Sequence, residues 1–473
     1  MFRPVTVLVA LATTLFAQTD RGNITGQVSD LSGAAVAGAS VTVTNVATGR
    51  ATPTVTTTAG DYNAPGLPPG SYTIEASQPG FKRFRREGVV LAAASTVRVD
   101  ARLEVGPITE SIEVHAELAQ VQTENAKVTT AVQNRMVDEL PLVVGGALRS
   151  IFNLVTITPE ARGGGSRLAL GGGQARAWEA TLDGVSVATN RSADATEIAY
   201  TSPSLEAITE FAIDTNGFKA EYGQAGGGIM TFVSKSGTNE YHGSAYDFLR
   251  NDALDARGFF APRRAVYRQN DFGATAGGPL SIPRSYNGRD RTFFFVSHEG
   301  FRNRVGSNDA FFTVPTPEMY EGDFRNWVNA NGQLLTIYDP ATTRPNPNGS
   351  GFIRSPFADN RIPQARFSGF AKQWMLFAQP AKPNRGGVRG TIDYVRQNYV
   401  STGGSVLDPQ NKYSLKVDHS LTNSHRLGFF YNNSNFNRAL GPGGPPGLPV
   451  PLWDGQLQTF ETEAFRMTHD WTI

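Results

Sequence analysis

Cysteine is absent from the 473 residues, which excludes disulfides and thiolate metal sites and suits a protein that crosses an oxidising compartment unfolded. An excess of charge of one sign is also missing. Lys and Arg number 43 against 42 Asp and Glu, so no broad field attracts nucleic acid or an acidic partner. Long hydrophobic runs are confined to the start. Arg3 precedes an apolar stretch from Val5 to Phe16, and Ala17 is a small residue at a cleavage point before Gln18. About a dozen apolar residues are too few for a spanning helix, and residues 1–17 read as a secretory signal peptide. The six histidines are dispersed at 115, 242, 298, 419, 425 and 469. In the only His-Glu pair, His298-Glu299, Arg302 stands where H-E-x-x-H needs its second ligand, and no G-x-S-x-G elbow opens a helix. No catalytic, cofactor-binding or metal-binding residue is assigned.

What is abundant is turn and strand chemistry: 50 Gly, 28 Pro and 29 Phe describe many strands and many turns. A negative mean hydropathy excludes a bundle of membrane helices but not a membrane barrel, whose strands spend half their positions on a polar interior. Length alone suggests about three domains. Residues 18–106 have the texture of a β-sandwich, with strands at Ile24–Val28, Ser40–Asn45, Ser71–Ser77 and Thr96–Leu103 and turns at Gly66 and Gly70. Tyr62, Tyr72 and Phe81 are read as core rather than as a glycan platform.

Residues 107–118 include the β-branched, acidic run Thr109-Glu110-Ser111-Ile112-Glu113-Val114. An extended peptide of this kind offers backbone groups for strand addition, and it equally suits the first strand of the next domain. Across 119–237 the spacing of Val128, Val132, Met136 and Leu140 predicts a helix over Ala126–Leu140, ended by Pro141. Leu182-Asp183-Gly184-Val185 predicts a hairpin, since Gly accepts positive φ at no steric cost. The triplets Gly163–Gly165 and Gly171–Gly173 lack the Lys-Ser/Thr of a phosphate loop.

The chain changes character near Gly237. Gly226 to Val233 reads as a buried strand ended by Ser234-Lys-Ser-Gly-Thr238, and from Tyr241 the residues alternate, with Ser244, Tyr246 and Phe248 on one face. Lys235-Ser236-Gly237-Thr238-Asn239, His242-Gly243 with Tyr246 and Phe248, and Arg250-Asn-Asp252 resemble, at fixed spacing, the plug-to-barrel junction of Oar-like TonB-dependent outer-membrane receptors. Residues 24–103 resemble the carboxypeptidase regulatory-like domain, of carbohydrate-binding-like fold. Leu140-Pro-Leu142, Ile151 to Val155 and Leu182 to Val185 follow the family's plug pattern, although Val144-Gly-Gly146 replaces the usual N-G-R.

The resemblance implies a mainly β chain: signal peptide, β-sandwich, α+β plug, then the first part of a transmembrane antiparallel barrel at 238–473. It implies Thr109–Val114 as a TonB box, pairing with a periplasmic TonB-type energy-transducing protein. Barrel strands are expected at Phe272–Ala276, Arg291–Arg302, with Glu299 toward the lumen, and Tyr413–Asn432, with a turn at Leu421–Ser424. The Pro-, Asn- and Arg-rich stretches 305–373 and 379–393 are expected as loops carrying an outer ligand surface.

A plugged barrel needs about 22 strands of about ten residues, and roughly 235 residues after Gly237 supply about six to eight. The expectation is therefore the N-terminal part of a longer receptor, with an eight-stranded barrel as the alternative. The implied function is uptake of a solute across the outer membrane, embedded in its lipid, with no chemical step. Iron chelate, cobalamin, oligosaccharide and peptide stay open as the solute, and a secreted adhesin or carbohydrate-binding protein stays open as the competing function.

Overall fold

The computed structural model describes residues 20–108, 111–115, 128–132, 150–187, 198, 202–218, 223, 225–259, 264, 266–306, 310–378, 382–401, 405–439 and 457–471. The signal-peptide segment 1–17, Thr109, Glu110, residues 133–140 of the expected helix, and Leu140 to Gly146 lie outside them.

The first unit is a two-sheet sandwich. In β1 (Gly22–Asp30) buried and half-exposed residues alternate, as a strand with one face on a core requires. It pairs with β4 (Asp61–Leu67), β7 (Thr96–Arg98) and β8 (Ala101–Leu103). The facing sheet runs β3 (Ala51–Val55), β2 (Ser40–Asn45), β5 (Gly70–Ser77), β6 (Arg83–Leu91) and β9 (Ser111–His115). Thr96–Leu103, expected as one strand, breaks in two at Val99-Asp100. There the Tyr62 hydroxyl donates to the Val99 carbonyl at 2.6 Å, and the Asp100 carboxylate accepts from the Gln27 amide at 2.8 Å.

Tyr62 and Tyr72 are 3% and 1% exposed, so neither ring can serve as a sugar platform. Tyr62→Phe is expected to cost the sandwich about 1 kcal/mol, because it orphans the buried Val99 acceptor. The check is a lower urea midpoint for the sandwich transition, with faster amide exchange at β7 and β8.

The central unit is a five-stranded sheet ordered β10 (Val128–Val132), β15 (Ile208–Asn216), β16 (Gly228–Ser234), β13 (Trp178–Leu182) and β14 (Val185–Ser186). Two short strands, β11 (Ala161–Arg162) and β12 (Ala169–Leu170), pair beside it. The helix expected from Ala126 is corrected at its described start: Val128–Val132 is a strand paired antiparallel with β15. Val128 and Val132, four apart, share a face in either a helix or a strand, and the β-branched run Val-Thr-Thr favours the strand. Phe152 of the short helix Ile151–Val155 packs edge-on to Phe232 at 5.5 Å and against Trp178 at 5.7 Å, and Phe211 meets Phe232 at 5.8 Å. These aromatics form the centre of a core that Phe430, from the third unit, also enters.

The third unit is an antiparallel meander: β17 (His242–Asn251), β18 (Tyr267–Pro279), β19 (Thr292–Gly306), β24 (Ser405–Ser420), β25 (His425–Ala439) and β26 (Leu457–Trp471). Among the described residues these six strands form an open sheet rather than a closed barrel. Its two faces differ sharply. One carries Gln269, Asp271, Ser297, Glu299, Gln410, Lys412, Ser414, Asn432 and Ser434, all buried. The other puts the apolar row Phe294, Val417, Phe429 and Met467 beside the row Val296, Leu415, Tyr431 and Phe465. That is the polar-lumen, apolar-outside division of a membrane wall.

Between β19 and β24 the chain makes a long excursion, closed at its base by β20 (Ala310–Phe312) on β23 (Tyr399–Ser401) and containing the pair β21 (Arg344–Pro345) and β22 (Phe352–Ile353). The expected loop is thus a folded module. Asn360 pins it, accepting from the Ile337 amide at 2.7 Å and donating to the Phe324 and Leu335 carbonyls at 2.8 and 3.0 Å.

Candidate functional site at the meeting of three units

The Asp183-Gly184 hairpin forms as expected, with positive φ at both turn residues (47° and 78°), the geometry of a type I′ turn. Its consequence is electrostatic. The turn pushes the Asp183 carboxylate out of the central unit toward the wall, where it accepts from the Ser234 amide at 2.8 Å and the Ser234 hydroxyl at 2.7 Å. Arg466 Nη1 of β26 donates to it at 3.0 Å, and Lys416 Nζ of β24 lies 3.7 Å away. Lys416 also donates to the Ser234 carbonyl at 3.1 Å, and Arg466 to the Leu182 carbonyl. Burial works to raise the Asp183 carboxyl, but the Lys416 and Arg466 charges and the Ser234 donors outweigh it and hold the group below the ordinary carboxylate range.

A second set lies next to the first. Asp418 of β24 accepts from Arg426 Nη2 at 2.8 Å and from the Ser236 hydroxyl. Arg21, just ahead of the sandwich, pairs with Asp470 of β26 at 2.9 Å. Three units are therefore joined by charge-assisted contacts that are largely buried at Asp183 and Asp418 and more exposed at Asp470, a kind of hydrogen bond about twice as strong as a neutral one.

Of the junction residues, the Lys235 amide donates to the Ala207 carbonyl at 2.7 Å, closing the central sheet. Gly237 threads between backbone atoms of β18 and β19, where a Cβ would lie 2.3 Å from the Phe294 carbonyl oxygen. The Thr238 hydroxyl donates to the Glu240 carbonyl at 3.1 Å. The Asn239 side chain exchanges hydrogen bonds with Asp290, and its amide donates to the Ala47 carbonyl of the sandwich at 3.0 Å. His242 and Gly243 open β17 opposite Gly277 and Ala276. Leu182 and Val185 close the hairpin as a cross-strand pair.

Ser111 to Val114 do not open the next domain, the alternative the sequence left for them. They lie in β9, which adds in parallel to β6 of the sandwich, Ser111 opposite Arg83 and Val114 opposite Arg86. The run is an edge strand of the first unit.

Sequence reasoning assigned no role to Lys416, Asp418, Arg426 or Arg466. Their signal was present: each is an ionisable residue on the polar phase of an alternating strand, where a charge needs a partner. The histidines are likewise less scattered in space than in sequence. His425 and His469 lie 3.0 Å apart through their ring nitrogens, and Trp471 stacks on His425, all on the outward face. Among the described residues no group of three or more His, Asp or Glu is arranged to hold a metal.

Sandwich and central unit also meet at Glu210, whose carboxylate accepts from the Ala93 amide. Burial pushes this carboxyl up to about 7, with Asp20 adding to the rise and the Ala93 donor opposing it. Folding therefore favours the protonated acid. Its stabilisation is complete below the ordinary Glu range and is lost as pH rises through about 7. Thermal unfolding should thus show the sandwich–centre contact weakening from pH 5 to pH 8 by at most about 3 kcal/mol. Glu210→Gln is expected to flatten that dependence.

The module between β19 and β24 has its own groove, of about 690 Å³, between Asp323, Asp339, Arg361, Arg366 and Phe357. Asp323 accepts from Arg325 at 2.7 Å and from Arg361 at 2.8 Å, donors that hold its carboxyl well below the usual range, and Asp339 pairs with Arg366 at 2.6 Å.

Residues 233–473, more than half of the chain, match the outer membrane beta barrel domain, and the chain belongs to that family. Residues 23–104 match the carboxypeptidase regulatory-like domain. The protein is accordingly one of the outer membrane of Gram-negative type. It is similar to the TonB-dependent transporter Oar of Myxococcus xanthus, at 27% identity over 255 residues, covering 51% of this chain and 23% of Oar. Among solved structures it is similar to the ferric enterobactin receptor PfeA of Pseudomonas aeruginosa, at 11% identity and a TM-score of 0.39, covering 73% of this chain and 38% of that one. The siderophore receptor PirA of Acinetobacter baumannii matches at 13% identity and a TM-score of 0.31, covering 72% of this chain and 44% of that one. The chain spans less than a quarter of the length of Oar.

Proposed function

We propose that this chain belongs to a TonB-dependent receptor that takes up a solute across the outer membrane, without chemistry on that solute. In this reading residues 119–237 are the plug, 238–473 the first part of the barrel wall, and Lys235–Asn239 the tether between them. The observation that carries it is the ionic attachment of Asp183 to Lys416 and Arg466. It supports a stopper that is held firmly but is released when a few buried contacts break together. The similarity to Oar supports the same reading. The Thr109–Val114 run would receive a strand from a periplasmic TonB-type protein, and the Arg- and Asp-lined outer groove suits a polar solute.

Two measurements test this. In cells that produce the protein, it should fractionate with the outer membrane and shift on gels with heating; recovery in the soluble secreted fraction would refute the reading. Because the chain has no cysteine, Ile112→Cys gives a unique thiol. It should form a disulfide with a cysteine-bearing TonB C-terminal domain, and Val55→Cys on the far edge of the same sheet should not.

A further inference from the structure

Where the three units meet lies a cavity of about 250 Å³, whose lining includes Asp20, Arg21, Arg50, Lys416, Asp418 and Arg426. Three of its four cations have carboxylates: Arg21 has Asp470, Lys416 has Asp183 and Arg426 has Asp418. Arg50 has none among the described residues. It follows the turn after β2, and its Nη2 donates to the Asn423 carbonyl of the β24–β25 turn at 3.0 Å. Its Nε is buried without a hydrogen-bond partner. The lining residues themselves carry four cations (Arg21, Arg50, Lys416 and Arg426) and two carboxylates (Asp20 and Asp418), with Asp183 and Asp470 paired to Lys416 and Arg21 from outside the lining.

We infer that this cavity is a binding site for a small oxyanion of the phosphate class, with the Arg50 guanidinium as its anchor. A guanidinium presents parallel N–H donors that match two oxygens of such an anion, and a buried Nε–H without a partner is costly unless one is supplied. The volume admits the anion with some of its water. Burial and the like charge of Arg426 both lower the Arg50 guanidinium, a strain that an anion would relieve. Because Arg50 belongs to the sandwich, Arg426 to the wall and the neighbouring Ser236 to the tether, an occupant would bind all three together.

The test is titration of the full chain in detergent with inorganic phosphate at fixed ionic strength, read by calorimetry and by the phosphorus NMR shift. Saturable binding at one site is expected. Arg50→Gln should weaken it by about tenfold or more, Arg50→Lys less, and Arg102→Gln, on an exposed position of β8, not at all. Equal affinity in Arg50→Gln, or equal losses in Arg50→Gln and Arg102→Gln, would overturn the assignment. Since Arg50→Gln could disturb the sandwich, the wild-type titration stands alone: absence of a saturable phosphorus shift overturns the site by itself. A second arm uses short-chain phosphatidylglycerol. Arg50-dependent binding of that lipid without binding of inorganic phosphate would overturn the free-anion source.

Discussion

Asp183→Ala is expected to destabilise the attachment of the central unit to the wall by about 3–5 kcal/mol, the usual consequence of removing one partner from a buried ion pair. The size follows from what is left behind. Lys416 and Arg466 are only 13% and 14% exposed, and each would keep its charge beside the other with the shared carboxylate gone. Ser234 would lose the acceptor for both its amide and its hydroxyl. Urea unfolding of the full chain, followed by near-ultraviolet circular dichroism, should show the central transition move to much lower denaturant while the sandwich transition stays in place. Adding Lys416→Met and Arg466→Met to Asp183→Ala should recover much of the loss, because no uncompensated charge then remains and the Met chains fill similar volume. Acid has the same direction of effect as the single substitution. The Asp183 carboxyl is held below its ordinary range, so its contribution is present above that range and disappears as pH falls through the folded value. A cost below about 1 kcal/mol for Asp183→Ala would mean that water screens the group as it does a surface pair.

How legible this site was depends on which interactions made it. Local chemistry was readable: Asp183-Gly184 fixed a type I′ turn, and the alternation at Tyr413–Asn432 fixed a hairpin whose strands differ from expectation only in running longer. Residues 126–132 misled because a spacing of four satisfies two periodicities, and only pairing with β15 separates them. The charge network was not readable at all as a network. Asp183 meets Arg466 across 283 positions and Lys416 across 233, and no local rule links them. What a sequence can show is the weaker statement that Lys416, Asp418, Arg426 and Arg466 occupy the polar phase of their strands. Register converts that into contacts: Asp418 stands opposite Gly428, two residue pairs from the Ser420–Arg426 pair, so the carboxylate and guanidinium fall on one face. The edge position of Ser111–His115 depends likewise on a partner strand, β6, more than twenty residues away.

Gly237→Ala is expected to damage the fold more than any other single-methyl change in the tether, by about 3 kcal/mol or more. The reason is not backbone conformation but space. An added Cβ would sit 2.3 Å from the Phe294 carbonyl oxygen, 2.6 Å from the Gly278 carbonyl oxygen and 2.9 Å from the Gly278 amide nitrogen. All three are main-chain atoms of paired strands, so no side chain can swing aside to make room. Relief requires either parting β18 from β19 or lifting the tether away from the wall. Lifting the tether would also withdraw Ser236 from Asp418 and Asn239 from the Ala47 carbonyl, loosening wall and sandwich at once. Gly386→Ala is the matched control: a Cβ there meets nothing within 4 Å, so its effect should stay within about 0.5 kcal/mol or be slightly stabilising through the unfolded chain. Thermal unfolding and heat-dependent gel mobility of the two variants give the comparison. Equal behaviour of Gly237→Ala and Gly386→Ala would show that the tether runs clear of the wall, and the ionic contacts around it would then have to hold the central unit without help from close backbone packing.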